Sequence, residues 1–565
     1  MVFAFGFLSL APRGRRSARD RSRPLPAPEP GLRPANSPGP RVPARTRGRL
    51  ASPAALLAGA AIGLAWLVPE TFASTLLGWV GAFLLVFAVR ARRAYLPAYG
   101  CGLVGQCLGF YWVYGTISIF GGFGAIPSAL LFALFVAFGA LQFLLFALIH
   151  HHLGPPFETL ALRAPTALVL SEFLAPRVFR WHYGHTQIAF TPFVQVADLG
   201  GALLVSFLMF WVAEAGVRIL VFRERRRTFL LPVALFGLAL GYGVARIRAY
   251  SPAPGEAQEV VLVQGNISLA ERLDIDAARR NLERLHDLSR SAARPNALIV
   301  WPEGSIPAYV PADVGSVRAE PALPFHGDGS AFLLGAYSFL DEARRYNAAF
   351  AIHPNGNVPP PYFKQVLIPF GEYMPFASIF PWLMSMNNRA GVFSAGDAIM
   401  VFEYPMRRRD GTAYRLRVSP LICYEDTIPA LSRRAALGGA ELLVNLTNDA
   451  WFGHSAAPYQ HHLIAAFRAL ENRRFLVRVT NTGLSAVVDP LGKTIARLPL
   501  FSRGTSLARV TLIPDQTIYA RFVGERPWWI LLAASIAAVV AGRRRDRDPN
   551  GPLRARQATH ALFVL

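Results

Sequence analysis

Three reactive side chains each follow a short apolar or aromatic stretch of the sequence. Cys423 ends the apolar run 418–422. Glu303 follows a Trp-Pro pair, and Lys364 follows a Tyr-Phe pair. An apolar run of this kind predicts a buried strand, and the end of a strand is a rigid place to hold a nucleophile. Since a carboxylate base, a fixed cation and a thiol suit acyl transfer through a thioester, we predict that the three side chains converge.

Each of these residues also has a structural interpretation. Cys423 could be an inert thiol on a core strand, Glu303 a solvated loop acid and Lys364 a surface lysine. The Trp-Pro pair before Glu303 favours a fixed, shielded position. Arginine supplies nearly all the positive charge of this chain, which makes a surface role for Lys364 less expected.

The three residues lie in a long, less apolar stretch between Tyr250 and Arg526. Apolar strands alternate there with helices, which indicates a sheet covered by helices. The predicted helices cover 277–293 and 459–473. Strands are predicted at 260–264, 297–301, 331–337, 348–353, 417–423, 442–447 and 476–480.

The composition indicates a membrane protein. The chain has 565 residues, 53% of them hydrophobic, and a net charge of +23. Much of the excess charge lies in the flanks, where residues 1–50 alone carry eleven arginines. Because no nucleic-acid-binding motif accompanies the charge, we expect no nucleic-acid partner.

No cofactor or metal is expected. Three cysteines imply no disulfide framework. The adjacent histidines at 150–152 and 461–462 point in different directions when they lie on a helix, so they do not predict a metal site. A glycine-rich phosphate loop is missing from the sequence.

Eight apolar segments predict transmembrane helices, because most approach the roughly 20 residues that cross a bilayer. The fifth and the eighth segments are short for this purpose. The segments are 51–68, 72–89, 96–119, 126–149, 160–174, 194–222, 229–245 and 528–541.

The placement of arginines predicts the orientation of these helices. Arginines follow the second, sixth and eighth segments, whereas the loop at 118–128 carries no charge. Because basic residues retain loops in the cytoplasm, both termini are predicted inside and residues 250–525 outside. Arg177 and Arg180 fall on an outer loop, and we interpret them either as ligands of anionic lipid headgroups or as snorkelling interfacial arginines.

The predicted organisation has five parts. They are a disordered basic N-terminal extension (1–50), transmembrane helices 1–7 (51–249), a catalytic domain (250–525), transmembrane helix 8 (526–542) and a basic cytoplasmic tail (543–565).

The motifs around the reactive side chains resemble the carbon–nitrogen hydrolase (nitrilase) superfamily, with its Glu, Lys and Cys triad. These motifs are Trp301-Pro302-Glu303, Tyr362-Phe363-Lys364 and Cys423-Tyr424-Glu425. Together with the membrane segments, narrower motifs resemble the apolipoprotein N-acyltransferase family over about residues 51–541. They lie at 109–114, 171–173, 369–375, 448–453 and 466–473.

The resemblance implies a fold class and a location. The fold is an α/β extracytoplasmic domain, an αββα nitrilase-like sandwich, inserted in an eight-helix transmembrane bundle. The location is the bacterial inner membrane, with the catalytic domain on the periplasmic side. Leu273 departs from the tryptophan that the family often has after its Gln-Gly-Asn stretch.

The resemblance also implies a reaction. A fatty acyl group would pass from a membrane phospholipid to Cys423 and then to the N-terminal amine of a diacylated apolipoprotein. Glu303 would act as the proton acceptor and donor. Lys364 and the backbone N–H of Tyr424 would stabilise the tetrahedral oxyanion.

Further residues are expected to support this site. Glu372 would orient Lys364 or help the amine lose its proton, with a turn or helix-capping acid as the alternative. Glu425 would support the nucleophile. Asn448, Asp449 and Trp451 follow a strand and would line the rim. Trp451 and Phe452 would contact the acyl chain, although core aromatics would have the same pattern. Residues 376–392 and those after Trp451 are expected to act as lids that exclude water.

Two other functions remain open at this point. A membrane-bound nitrilase-type amidase that hydrolyses a small amide would use the same triad, with water as the acceptor. A non-enzymatic membrane scaffold or transporter would not need the triad at all.

Overall fold

The computed structural model describes residues 44–547, except 92–93, 225–226, 251–256, 269–270, 272–273, 342–343, 376, 378, 383–392 and 409. The predictions for most of the N-terminal extension, for Leu273, for most of the lid at 376–392 and for the end of the C-terminal tail therefore fall outside the described residues.

Apolar helices form the N-terminal bundle. They are α1 (Ala44–Leu67), α2 (Phe72–Val89), α3 (Tyr95–Gly109), α4 (Trp112–Phe120), α5 (Ala125–His152), α6 (Pro155–Thr159), α7 (Arg163–Leu174), α8 (Thr191–Val194), α9 (Ala197–Leu220) and α10 (Arg227–Ala249). Within the described ranges, five of these helices, α1, α2, α5, α9 and α10, are long and apolar enough to cross a membrane.

The remaining predicted spans differ from continuous transmembrane helices. The third is divided, because Phe110 takes φ −121° and ψ 28° and ends α3 before α4 begins. The fifth corresponds to α7, which has only 12 residues. The eighth lies in α14 (Arg526–Arg547), whose apolar part, Arg526–Gly542, is also short.

Arg177 hydrogen-bonds to groups of the protein itself. Its guanidinium donates to the backbone carbonyls of Glu172 and Trp181 and, at 3.3 Å, to Gln142 Oε1. These contacts give Arg177 a structural role that the sequence did not predict, and the interpretation of the exposed Arg180 stays a prediction. Arg177 ties the loop after α7 to α5 from within the protein.

Two mixed β-sheets form the catalytic domain. The first has the order β13-β1-β2-β4-β5-β6, with β3 paired to β4, and the second has the order β12-β11-β10-β9-β8-β7. The strands are β1 (Ala257–Gln264), β2 (Leu298–Val300), β3 (Ile306–Pro311), β4 (Ala331–Phe339), β5 (Arg345–Ile352), β6 (Tyr362–Phe363), β7 (Phe402–Arg407), β8 (Ala413–Ile422), β9 (Leu442–Thr447), β10 (Phe475–Thr480), β11 (Ala486–Val488), β12 (Thr494–Arg497) and β13 (Gly504–Thr511).

The two sheets face each other across one apolar core. Leu333 and Ala349 from the first sheet and Val418 and Leu446 from the second are fully buried in it. Helix α11 (Ile275–Ala292) covers the outer face of the first sheet, where Leu285 is buried. Helices α12 (Pro429–Leu437) and α13 (Ala457–Asn472) cover the outer face of the second sheet, which completes an αββα sandwich.

Helix α13 joins the catalytic domain to the bundle, and nearly all its residues are buried. The Gln460 amide donates to the carbonyls of Trp66 and Gly109, both at 2.8 Å, and accepts a hydrogen bond from Trp112 Nε1 at 3.0 Å. At the other end of the helix, Arg473 forms an ion pair with Asp198 at 2.8 Å. The contacts of α13 therefore fix the catalytic domain to the bundle rather than leaving it on a linker.

We predict that Gln460→Leu destabilises this junction by about 2–4 kcal/mol, because two carbonyls and one indole N–H would lose their partner in a buried place. The apparent Tm of the purified protein in detergent measures the effect. Gln516→Leu is the matched control, since Gln516 is exposed. Equal Tm changes in the two variants would contradict the importance of this contact.

Candidate active site

Cys423 lies directly after β8, at the start of a 3₁₀ turn (Cys423–Thr427). Its φ is +52°, a left-handed conformation that is uncommon and strained for a residue with a side chain. The Asn445 amide on β9 donates to the carbonyl of Cys423 at 2.9 Å and holds this turn in place. The turn thus fixes the thiol at the end of the second sheet.

A buried carboxylate, Glu425, connects the turn of the nucleophile to the loop that carries the lysine. Its oxygens accept hydrogen bonds from the N–H groups of Ile422 (2.8 Å), Gln365 (2.7 Å) and Val366 (3.2 Å), and from the Tyr362 hydroxyl (2.9 Å). Burial raises the pKa of Glu425, while the N–H donors oppose that rise. Glu425 therefore supports the site by holding two segments of backbone together.

Asn347 on β5 brings the two other carboxylates of the site together. Its side-chain N–H₂ donates to Glu303 Oε1 at 2.7 Å and to Glu372 Oε1 at 2.8 Å. Its backbone carbonyl accepts the N–H of Lys364 at 2.9 Å. One residue of the first sheet thus orients both acids and positions the lysine.

Lys364 is fully buried, so it is not a surface lysine. Its Nζ lies 2.8 Å from Glu372 and 3.7 Å from Glu303 Oε1. Burial alone lowers the pKa of Lys364, but the negative charges of Glu372 and Glu303 outweigh it and raise the pKa above its ordinary value. The ammonium is therefore charged at neutral pH.

Glu303 and Glu372 occupy different surroundings. Glu303 is 8% exposed, which excludes a solvated loop acid. Glu372 contacts Lys364 and also accepts the N–H of Ile368 at 2.9 Å, so it both orients the lysine and closes a turn, while its help in deprotonating the amine stays a prediction. Gly335 on β4 lets the backbone of Glu303 approach, because a Cβ at that position would lie 2.6 Å from Glu303 Cα.

The thiol of Cys423 is protonated in the resting site. Burial raises its pKa well above the ordinary value and the charge of Glu303 adds to this rise, whereas Lys364 and the Thr447 hydroxyl lower it. A protonated thiol needs a base before it can attack a carbonyl. The nearby carboxylate of Glu303 is suited to take that proton.

Comparison of the whole sequence with known proteins identifies relatives that match most of its length. The chain is 30% identical to the apolipoprotein N-acyltransferase of Vibrio vulnificus over 508 residues, 87% of this chain and 97% of the relative. It is 29% identical to that of Geobacter metallireducens over 500 residues, 83% of this chain and 92% of the relative. The chain belongs to the apolipoprotein N-acyltransferase family.

Two family models match separate parts of this family member. Residues 58–215 match the apolipoprotein N-acyltransferase N-terminal domain, and residues 260–513 match the carbon-nitrogen hydrolase family. The solved structure of an amidase from Nesterenkonia sp. covers 50% of this chain and 99% of its own, with 21% identity and a TM-score of 0.34.

The predicted rim residues of this acyltransferase family member have different surroundings. Asn448 is buried and accepts a hydrogen bond from Asn481 at 3.2 Å. Phe452 packs edge-on against Trp112 of the bundle, with ring centroids 4.9 Å apart. Trp451 is 40% exposed, and its carbonyl accepts the Thr116 hydroxyl at 3.3 Å. Asn448 is therefore closed to substrate, whereas the exposed Trp451 and the half-buried Phe452 remain predicted contacts of the acyl chain.

Tyr424 follows the nucleophile and reaches towards the bundle. Its hydroxyl donates to the carbonyl of Val178 at 2.6 Å. Burial raises the pKa of the Tyr424 hydroxyl, and Arg180 opposes that rise. The contact anchors the turn of the nucleophile to the loop after α7.

A buried charge cluster behind the nucleophile was not expected from sequence, and it includes Asp449, which was expected at the rim but is fully buried. His461 lies 2.8 Å from Asp426 Oδ1 and 3.1 Å from Asp449 Oδ1, and Arg478 lies 2.9 Å from Asp426 Oδ2. Burial alone lowers the pKa of His461, but Asp426 and Asp449 raise it to about 9. His462 points elsewhere and lies 3.2 Å from Glu70. His461 is therefore a charged structural residue between the turns after β8 and β9.

We predict that Asn347→Leu lowers the acylation rate of a diacylated lipopeptide by about 10- to 100-fold, because misplaced acids and lysine disturb the reacting geometry. The rate is measured on purified protein in detergent. Asn357→Leu is the control, since Asn357 is exposed on the turn after β5. An unchanged rate for Asn347→Leu would show that Glu303 and Glu372 need no common donor.

We also predict that stability falls at alkaline pH through His461. The folded-state pKa is raised from 6.5 to about 9, so the stabilisation is complete below pH 6.5 and lost as the pH rises through about 9. The full effect is on the order of 3 kcal/mol. The apparent Tm of the wild type should fall more between pH 6.5 and 9 than that of His461→Gln; parallel curves would contradict the assignment.

Proposed function

We propose that this protein transfers a fatty acyl group from a membrane phospholipid, through a thioester on Cys423, to the N-terminal amine of the diacylglyceryl-cysteine of apolipoproteins. One observation carries the proposal. In a member of the apolipoprotein N-acyltransferase family, the charges of the buried Lys364 and of its two carboxylate partners shift the pKa of the Cys423 thiol. This thiol is held at the end of a strand. The reaction class follows from this arrangement of base, cation and nucleophile.

The first half of the reaction forms the acyl-enzyme. Glu303 takes the proton of the Cys423 thiol, and the thiolate attacks the ester carbonyl of the phospholipid. Lys364 and the backbone N–H of Tyr424 stabilise the oxyanion that forms. The intermediate collapses with loss of the glycerol oxygen, which receives the proton from Glu303, and a lysophospholipid leaves.

The second half transfers the acyl group to the acceptor. The unprotonated amine of the apolipoprotein attacks the thioester carbonyl, and Glu303 accepts its proton. The C–S bond breaks, the amide forms, and the proton returns to Cys423. Glu372 holds the Lys364 ammonium beside the oxyanion in both halves of the reaction. The 2.8 Å contact between Lys364 and Glu372 is consistent with this role.

The membrane half places this chemistry beside lipid. We propose eight spans in residues 51–249 and 526–542, with both termini in the cytoplasm and the domain 250–525 in the periplasm. The arginines that follow the second, sixth and eighth segments support this orientation. Trp528 and Trp529 suit the outer interface of the last span, and Trp529 contacts Phe173 of α7 with ring centroids 4.9 Å apart.

Hydrolysis of a small amide is the weaker alternative. The same three side chains would serve it, and only the acceptor would differ. The close attachment of the catalytic domain to the bundle through Gln460 and Arg473 favours lipid substrates, because a soluble amide needs no such attachment.

The proposal predicts an acyl thioester on Cys423. Wild-type protein incubated with phospholipid and no acceptor should gain the mass of one acyl chain on this residue, and a diacylated lipopeptide should then remove it. Mass spectrometry of the intact protein and its peptides measures both steps. Cys423→Ala should gain no acyl chain and should not acylate the lipopeptide.

Cys107→Ala is the matched control, because Cys107 is an exposed thiol on α3 away from the candidate site. It should form the thioester at the rate of the wild type. An acylated lipopeptide made by Cys423→Ala, or release of ammonia from an amide in place of acyl transfer, would refute the proposal.

A further inference from the structure

The inner face of the first sheet continues past Asn347 as an aromatic surface. Tyr309, Tyr337 and Asn347 are register partners across β3, β4 and β5. Phe339 and Arg345 are the partners in the next row outwards. Successive side chains alternate between the faces of a strand, so these residues share the face of Leu333 and Ala349, which lie in the core between the sheets.

This surface is exposed where the core ends. Tyr309 is 40% exposed and Phe339 is 37% exposed. The rings of Tyr309 and Tyr337 lie 5.8 Å apart, and the Arg345 guanidinium lies 5.4 Å from the centre of the Tyr309 ring. We call Tyr309, Tyr337, Phe339 and Arg345 the aromatic shelf.

The aromatic shelf is continuous with the candidate active site. Asn347, in the same row as Tyr309 and Tyr337, donates to both Glu303 and Glu372. The Tyr337 ring stacks on Phe393 at 5.2 Å, and the N–H of Phe393 donates to the carbonyl of Glu372 at 3.1 Å. A molecule that reacts at Cys423 and extends along this face would therefore cross the shelf.

The shelf belongs to the layer of the domain that is farther from the membrane helices. The bundle packs on α13 and on outer-face residues of the second sheet such as Leu443 and Leu476. In the part of the chain that the structure describes, the apolar core of the bundle includes no residue of β1 to β5. Hence a substrate segment that extends from the site away from the membrane helices, towards water, would contact the aromatic shelf.

We propose that the aromatic shelf binds the polypeptide segment of the acceptor, the residues that follow its lipid-modified cysteine. This inference depends on the proposed function. Tyrosine and phenylalanine rings give broad contact area to peptide planes and side chains, and Arg345 attracts acidic side chains. An acyl chain would gain nothing from an exposed guanidinium, which must stay hydrated.

The test compares two acceptors with the same diacylglyceryl-cysteine, one carrying a single further residue and the other a long peptide. Tyr309→Ala and Phe339→Ala should each raise the KM of the long acceptor by about 3- to 10-fold, the effect of losing one aromatic contact. The KM of the short acceptor should stay within a factor of about two. Tyr309→Phe should retain the wild-type KM for both.

Arg345→Gln tests the charge. The KM should rise more for a long acidic peptide than for a basic peptide of the same length. Phe325→Ala is the matched control, because Phe325 is 44% exposed but lies outside the shelf, and it should change neither KM. Equal increases for the long and short acceptors, or no increase for either, would overturn the proposal.

Two further readouts separate the shelf from the rest of the mechanism. The rate of thioester formation from phospholipid reports whether the shelf holds the acyl donor, and a decrease in Tyr309→Ala would overturn the proposal. The Kd of the long lipopeptide for Cys423→Ala protein needs no chemistry. If adding Tyr309→Ala to Cys423→Ala leaves this Kd unchanged, the proposal that the shelf binds the acceptor peptide is wrong. If the wild type forms no thioester, only the proposed function is wrong.

Discussion

The buried ammonium of Lys364 is the constraint on which the site depends. A charge without access to water is costly unless anionic partners and good geometry compensate for it. Glu372 and Glu303 supply the charges, and Asn347 holds both carboxylates at hydrogen-bond distance. The contacts that offset the cost of burying the lysine charge also orient the ammonium. Stability and chemistry therefore depend on the same set of contacts.

The two sheets contribute different parts of this site. The first supplies Asn347 and the turn that carries Glu303, and the second supplies the strained turn at Cys423. Glu425 joins the two by accepting N–H groups from both the nucleophile turn and the lysine loop. Because burial and the charge of Glu303 raise the pKa of the Cys423 thiol, the thiol needs a nearby base before it can act as a nucleophile.

The bundle also positions the catalytic domain through helix α13. Helix α13 is buried between the second sheet and the membrane helices, and its polar residues bond to backbone carbonyls and an aspartate of the bundle. His461 on the same helix binds the aspartates that follow β8 and β9. The position of the nucleophile relative to the bundle is therefore fixed by α13 together with the contact of Tyr424 with Val178, so the catalytic domain is not carried on a flexible linker.

The sequence determined the local elements and the reactive residue types. Strand β9 lies at the predicted residues 442–447, and the approach of Glu303 to Lys364 was predicted from short motifs. The tertiary structure alone decided which polar residues bring them together. Asn347 and Gly335 contact Glu303 from neighbouring strands, and His461 connects two turns. Strand register and helix packing determine these partners. For Asn347, the only local signal in the sequence was a polar residue within the otherwise apolar strand β5. Likewise, apolarity predicted the third span but not its break at Phe110, because the backbone geometry at that residue cannot be read from hydropathy.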